Sequence, residues 1–235
     1  MSRRPRERRP QLACILADNS DSMAGAKAKL TTNAVRELLL GLQVRGPRGP
    51  ERSYYRLLLV KWGAEAALHP SFNMVPVRQV DPDGIVVLGD GGASNMANAL
   101  EIAYAGLERY LTEVVQPHPE REKHPLPVVL VFSDGWNQGP DPTPVAERIK
   151  ALNVDGDSVL LATVGVAADV SEPANEELLR SLASPSSYLA VTEARFLSDF
   201  FDGGWSSKDE DHSVPRRSEM LSVIERLRSL RNRDN

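Results

Sequence analysis

Two stretches of this chain, residues 11–17 and 126–132, are apolar at nearly every position rather than at every second one. A strand with one wet face alternates. A run without alternation belongs to a strand buried on both faces, as in the interior of a parallel sheet. Between such runs the apolar residues fall at helical spacing. In residues 26–43 they are Leu30, Ala34, Leu38 and Leu42, with Val35 and Leu39 beside them. In residues 94–115 they are Met96, Ala99, Leu100, Ala103, Leu107, Tyr110 and Leu111. Shorter helices are expected over 143–152, where Pro144 suits a first turn, and over 175–183 and 194–201. Further strands are expected over 54–62, 66–72, 158–166 and 188–191. The short link Gly63-Ala64-Glu65 suits a hairpin, and Pro70 is tolerable at the end of an edge strand. Strands therefore alternate with helices. The pattern predicts an α/β fold: a three-layer, open, mostly parallel sheet of Rossmann-like build, with one antiparallel edge strand and helices on both faces.

Composition narrows the function classes. An apolar fraction of 41% in 235 residues supports one sizeable core. The formal net charge of −4 is unlike that of a general nucleic-acid binder. The single cysteine, Cys14, lies in an expected buried strand, so no disulfide can form within the chain, which favours a reducing compartment. No apolar run is long enough to span a bilayer, and no apolar signal region follows the basic start. A cytoplasmic location is the expectation.

The ends have different chemistry. Residues 1–10 read as a disordered basic arm, with Arg3, Arg4, Arg6, Arg8 and Arg9 between Pro5 and Pro10. The domain spans 11–202. Residues 203–215 form an acidic linker around Lys208-Asp209-Glu210-Asp211. Residues 216–235 form an appended basic amphipathic helix with Met220, Val223, Ile224, Leu227 and Leu230 on one face.

Chemistry concentrates where strands end. The first apolar run leads into Asp18-Asn19-Ser20-Asp21-Ser22-Met23, which places a carboxylate and two hydroxyls on one loop. These hard oxygens suit Mg²⁺ or Mn²⁺. An ordinary strand-to-helix turn would use the same serines as caps. In an open sheet, ligands bind beyond the carboxyl ends of the strands, so two more loops should meet the first. One carries Ser94 after Gly91-Gly92-Ala93, and the other carries Asp134 in Ser133-Asp134-Gly135-Trp136. Asn19 and Asp21 are expected to shape the turn. Trp136 suits either a partner surface or packing. His69, His118, His124 and His212 show no ligand spacing and read as solvated loop residues.

The Asp-x-Ser-x-Ser run, the Gly-Gly-Ala-Ser-Asn-Met-Ala-Asn-Ala-Leu segment and the apolar strand ending in Asp-Gly together resemble the three motifs of the von Willebrand factor A family. The resemblance covers roughly residues 11–201, and Ser22-Met23 with Asp134-Gly135-Trp136 resembles bacterial cytosolic, tellurium-resistance-type members. The family has a Thr in its second motif. Alignment through the following helix puts Ser94 there, whereas alignment through the glycines puts Ala93 there. The resemblance implies a metal-ion-dependent adhesion site: Ser20 and Ser22 touching the ion, Asp18 and Asp134 holding it directly or through water, and Ser94 completing the shell. It implies Mg²⁺ or Mn²⁺ as cofactor and a protein partner that offers Asp or Glu to the ion. It further implies company with kinases, phosphatases or ATPases in bacterial stress or phage-defence systems. Two rival readings are a metal-assisted phosphohydrolase and a scaffold with a structural ion. No nucleophile-and-base pair, phosphate loop or nucleophile elbow favours an enzyme.

Overall fold

In the computed structural model of the chain, the structure describes residues 10–44, 55–117, 124–169 and 171–191. The basic arm (bar Pro10), the helix expected over 194–201, the acidic linker and the appended helix lie outside the described residues.

The main sheet has six strands: β1 (Gln11–Asp18), β2 (Tyr55–Trp62), β3 (Ala66–Pro76), β4 (Val128–Ser133), β7 (Leu160–Gly165) and β8 (Tyr188–Ala190), in the order β3-β2-β1-β4-β7-β8. A small antiparallel hairpin of β5 (Asn153–Val154) and β6 (Asp157–Ser158) precedes β7. Every pairing in the main sheet is parallel except β2 with β3, which are antiparallel. The mostly parallel sheet with one antiparallel edge is therefore present as expected.

The helices are α1 (Ala26–Val44), α2 (Met96–Tyr110), α3 (Thr143–Ala151) and α4 (Glu176–Leu182). The pleat of β1 separates two cores. Ala13 and Ile15 join Val35, Leu38, Leu39 and Leu42 of α1 on one face. Leu12, Cys14 and Leu16 join Leu100 and Leu107 of α2, Ile149 of α3 and Leu179 of α4 on the other. All eight residues of β1 are buried, which explains the lack of alternation in its sequence. Burial also pushes the Cys14 thiol well above its usual range, so it is an inert core residue.

Three local differences have physical causes. The strand expected to end at residue 72 continues to Pro76, because an irregular register opposite Leu57 and Leu58 carries the pairing past the bend, where Met74 has φ 55°. The long helix changes to a π-helical turn at Leu111–Val115. The strand expected over 158–166 is shared: Ser158 closes the small hairpin and the sheet strand begins at Leu160. No helix among the described residues is long and apolar enough to cross a membrane.

The strand order fixes the position of the site. From β1 the chain moves outward to β2 and β3, then returns to β4 and moves the other way to β7 and β8. The reversal lies between β1 and β4, so their carboxyl ends border the crevice that such a switch opens. Ala17 pairs with Phe132, so the next position on each strand, Asp18 and Ser133, falls side by side at that edge.

Candidate metal-binding edge

Asp18 ends β1 with no solvent exposure. Its Oδ1 accepts the backbone N–H of Ser20 at 2.9 Å, and its Oδ2 accepts the Ser133 hydroxyl at 2.6 Å. The Ser94 hydroxyl lies 3.5 Å from the same Oδ2. Burial raises the Asp18 carboxyl to about 6; hydrogen bonds from Ser133 and Ser20 pull it down, and the nearby charge of Asp134 adds to the rise. Ser20 is buried and Ser22 exposed, with their hydroxyl oxygens 3.2 Å apart. A 3₁₀ turn at Asp21–Met23 then leads through Gly25, at φ 73°, into α1.

Ser94 is buried, whereas Ala93 is exposed. The Ser94 hydroxyl accepts the Trp62 indole N–H at 3.2 Å. Its backbone is clamped by the third loop. Its N–H donates to Gln138 Oε1, and its carbonyl accepts the N–H groups of Gln138 and Gly139. Asn137 Oδ1 accepts the Met96 N–H at the start of α2, while Asn95 caps that helix through the Asn98 N–H.

Asn19 and Asp21, expected to shape their own turn, reach across to the glycine loop. Asn19 Oδ1 accepts the N–H groups of Leu88 and Gly89, its amide donates to Asp90, and Asp21 Oδ1 accepts the Gly92 N–H. They pin the glycine loop against the first loop. Gly91 cannot be larger in this arrangement, since a Cβ there would sit 2.8 Å from the Asn19 carbonyl oxygen.

Asp134 is also fully buried. Its Oδ1 accepts the Trp136 N–H at 3.1 Å, and its Oδ2 accepts the Lys27 ammonium at 3.0 Å. Lys27 is the second residue of α1 and has 6% side-chain exposure. Its ammonium also lies 3.7 Å from Glu172 Oε2. Trp136 is half exposed, and its indole N–H donates to the Pro173 carbonyl at 3.4 Å.

The structure links Asp18 to Ser20 and Ser94, links Ser20 in turn to Ser22, and brings Asp134 close enough for its charge to act on Asp18. Two participants escaped the sequence reading. Ser133 anchors Asp18, a pairing set by the register of β1 on β4. Lys27 holds Asp134; the helical stripe Leu38, Ala34, Thr31 runs back to it. Two histidines differ from the expectation. His124 is not solvated: it is buried, and its Nδ1 lies 3.1 Å from Asp155 Oδ2. His69 lies in β3, partly buried, rather than in a loop. His118 and His212 lie outside the described residues.

Among the described residues no group of three or more His, Cys, Asp or Glu side chains is placed to hold a metal. The edge instead offers two carboxylates and three neutral hydroxyls. Such a set fits a hard cation that retains water and fits a soft metal poorly.

The sequence model of the von Willebrand factor type A domain matches residues 14–203, and the chain belongs to that family. No curated protein matches the sequence. Among solved structures, the chain is similar to an aerotolerance-related membrane protein from Bacteroides fragilis, at 12% identity and TM-score 0.53 over 80% of this chain and 95% of the other. It is similar to manganese-loaded TRAP protein of Plasmodium vivax at 15% identity and TM-score 0.50, over 94% of this chain and 74% of the other. The zinc-occupied MIDAS form of proximal thread matrix protein 1 from the mussel byssus is similar at 16% identity and TM-score 0.50, over 83% of this chain; the match covers 47% of that chain. At these identities the likeness is one of fold.

Proposed function

We propose that the protein is a metal-dependent interaction module whose carboxyl sheet edge captures an Asp or Glu side chain of a partner protein. The observation that carries this reading is the convergence of Asp18, Ser20, Ser22 and Ser94 at the strand switch, with the Asp134 carboxylate beside them. In this reading Ser20, Ser22 and Ser94 hold a Mg²⁺ or Mn²⁺ ion, with Asp18 and Asp134 binding it directly or through water. The ion supplies a Lewis-acidic position for an outside carboxylate. Neutral hydroxyls leave much of its charge uncompensated, which favours an anionic ligand. Ser133 fixes the rotamer of Asp18, and the clamp from Gln138 and Gly139 fixes Ser94. Trp136 stands exposed two residues beyond Asp134 and offers the partner an apolar contact. The manganese and zinc named for two structures of like fold agree with a divalent ion.

The proposed setting is the cytoplasm, as part of a bacterial stress-response or defence complex, with a kinase, phosphatase or ATPase of the same system as partner. A non-enzymatic role is favoured because Asp18 is surrounded by hydroxyls and a backbone amide rather than by a base that could activate a nucleophile. The test is partner recovery on the immobilised full chain in Mg²⁺, in EDTA, and in Mg²⁺ with excess acetate. Recovery is expected only in the first. Recovery undiminished by EDTA would favour the scaffold reading, and Mg²⁺-dependent phosphoester turnover would favour the enzyme reading.

A further inference from the structure

Lys27 is placed where two general costs apply. A lysine in the first turn of a helix opposes the positive end of the helix dipole. A buried ammonium loses several kcal/mol of hydration. Yet Lys27 Nζ sits 3.0 Å from Asp134 Oδ2 with almost no exposure, and a second carboxylate, Glu172, stands 3.7 Å away at the surface. The site therefore contains a built-in cation as well as two buried anions. Asp18 and Asp134 carry two negative charges, and Lys27 returns one positive charge. With a divalent ion added, these three buried groups come to about +1, against about 0 without the lysine; Glu172, exposed at the surface, lowers both totals alike and leaves the one-charge difference.

Resting on the metal-binding reading above, we propose that Lys27 is a positioning residue that sets the charge of the metal edge. Its ammonium occupies Oδ2 of Asp134 and so fixes which face of that carboxylate turns to the ion. It also makes the loaded site one charge more positive than it would be without the lysine. The consequence is a weaker hold on the ion and a stronger hold on an outside carboxylate. These two effects have opposite signs, which separates a charge role from simple structural support.

The experiment titrates Mn²⁺ into the full chain by electron paramagnetic resonance, then adds acetate and follows its displacement of ion-bound water by proton relaxation. Lys27→Gln keeps a donor for Asp134 and removes the charge, while Lys27→Arg keeps the charge. Lys27→Gln is expected to bind Mn²⁺ about tenfold more tightly and acetate about tenfold more weakly. Lys27→Arg is expected to stay within about twofold of the parent in both. Structural damage would instead weaken both steps together. If Lys27→Gln matches the parent, or weakens both steps, the proposal is overturned while the metal reading stands. A tenfold change in Lys27→Arg overturns it as well, even where Lys27→Gln does not fold. A parent chain that binds no Mn²⁺ overturns both readings.

Discussion

Asp18 ends β1 among hydroxyls and a backbone amide, whereas Asp134 follows β4 and faces an ammonium. Both carboxylates are fully buried at the same sheet edge, and the chain accommodates them differently. Among the described residues Asp18 has neutral hydrogen-bond donors and no cation, so burial dominates, the charge of Asp134 adds to it, and the carboxyl is raised to about 6. Asp134 has a cation of its own, at the expense of burying that cation too. One loop thus keeps a carboxylate in want of a positive charge. The other is already balanced and serves to hold its neighbour, Trp136, through the backbone. The division explains why a divalent ion would depend first on Asp18.

The largest expected effect tests the balanced side. Asp134→Ala leaves Lys27 buried without its principal counter-charge and should destabilise the metal-free protein by about 3–5 kcal/mol, read from urea unfolding in EDTA. A loss below about 1 kcal/mol would show that Lys27 reaches water readily and that the two loops differ less than the geometry indicates.

Asp18→Asn tests the unbalanced side and should have the opposite sign. A carboxyl raised in the folded state to about 6 contributes stability that is fully present below its ordinary value near 4 and lost as pH rises through 6. The asparagine variant lacks this loss. Relative to the parent, it should gain nothing from this group near pH 4 and up to about 3 kcal/mol by pH 7, in EDTA. Urea midpoints across that range check it, and a flat difference would contradict the assignment.

The smallest effect concerns Ser94, which links the two sides. Ser94→Ala leaves the buried Trp62 indole N–H without its acceptor and should cost about 1–2 kcal/mol, along with weaker Mn²⁺ binding. Ser94→Thr should retain the ion. Equal Mn²⁺ binding by the two variants would remove Ser94 from the ligand set.

Much of this architecture was legible in the sequence. The unbroken apolar runs mark β1 and β4 because both faces of those strands are covered, and the helical stripes mark α1 and α2 because each packs one face on the sheet. The oxygen-bearing loops were legible because strand ends at a switch point are where such residues converge. Lys27 was not, since a charged residue in an otherwise apolar stripe reads as solvent-facing until the carboxylate that receives it is located. Asp134 is 107 residues away in the chain. Ser133 was hidden for a related reason: its partner is fixed by inter-strand register, which a single strand does not reveal. The extension of β3 and the hairpin before β7 depend on local bends rather than on hydrophobic period.

In the proposed function, Asp18 is kept buried and ionisable for the sake of a divalent ion. This is tested most directly by titrating Mn²⁺ into the full-length parent and Asp18→Asn at pH 7.5, with free Mn²⁺ followed by electron paramagnetic resonance. One bound Mn²⁺ per parent chain is expected and none in the variant, although the variant is folded and the more stable of the two. Undiminished binding in Asp18→Asn, or no binding in the parent, would contradict it.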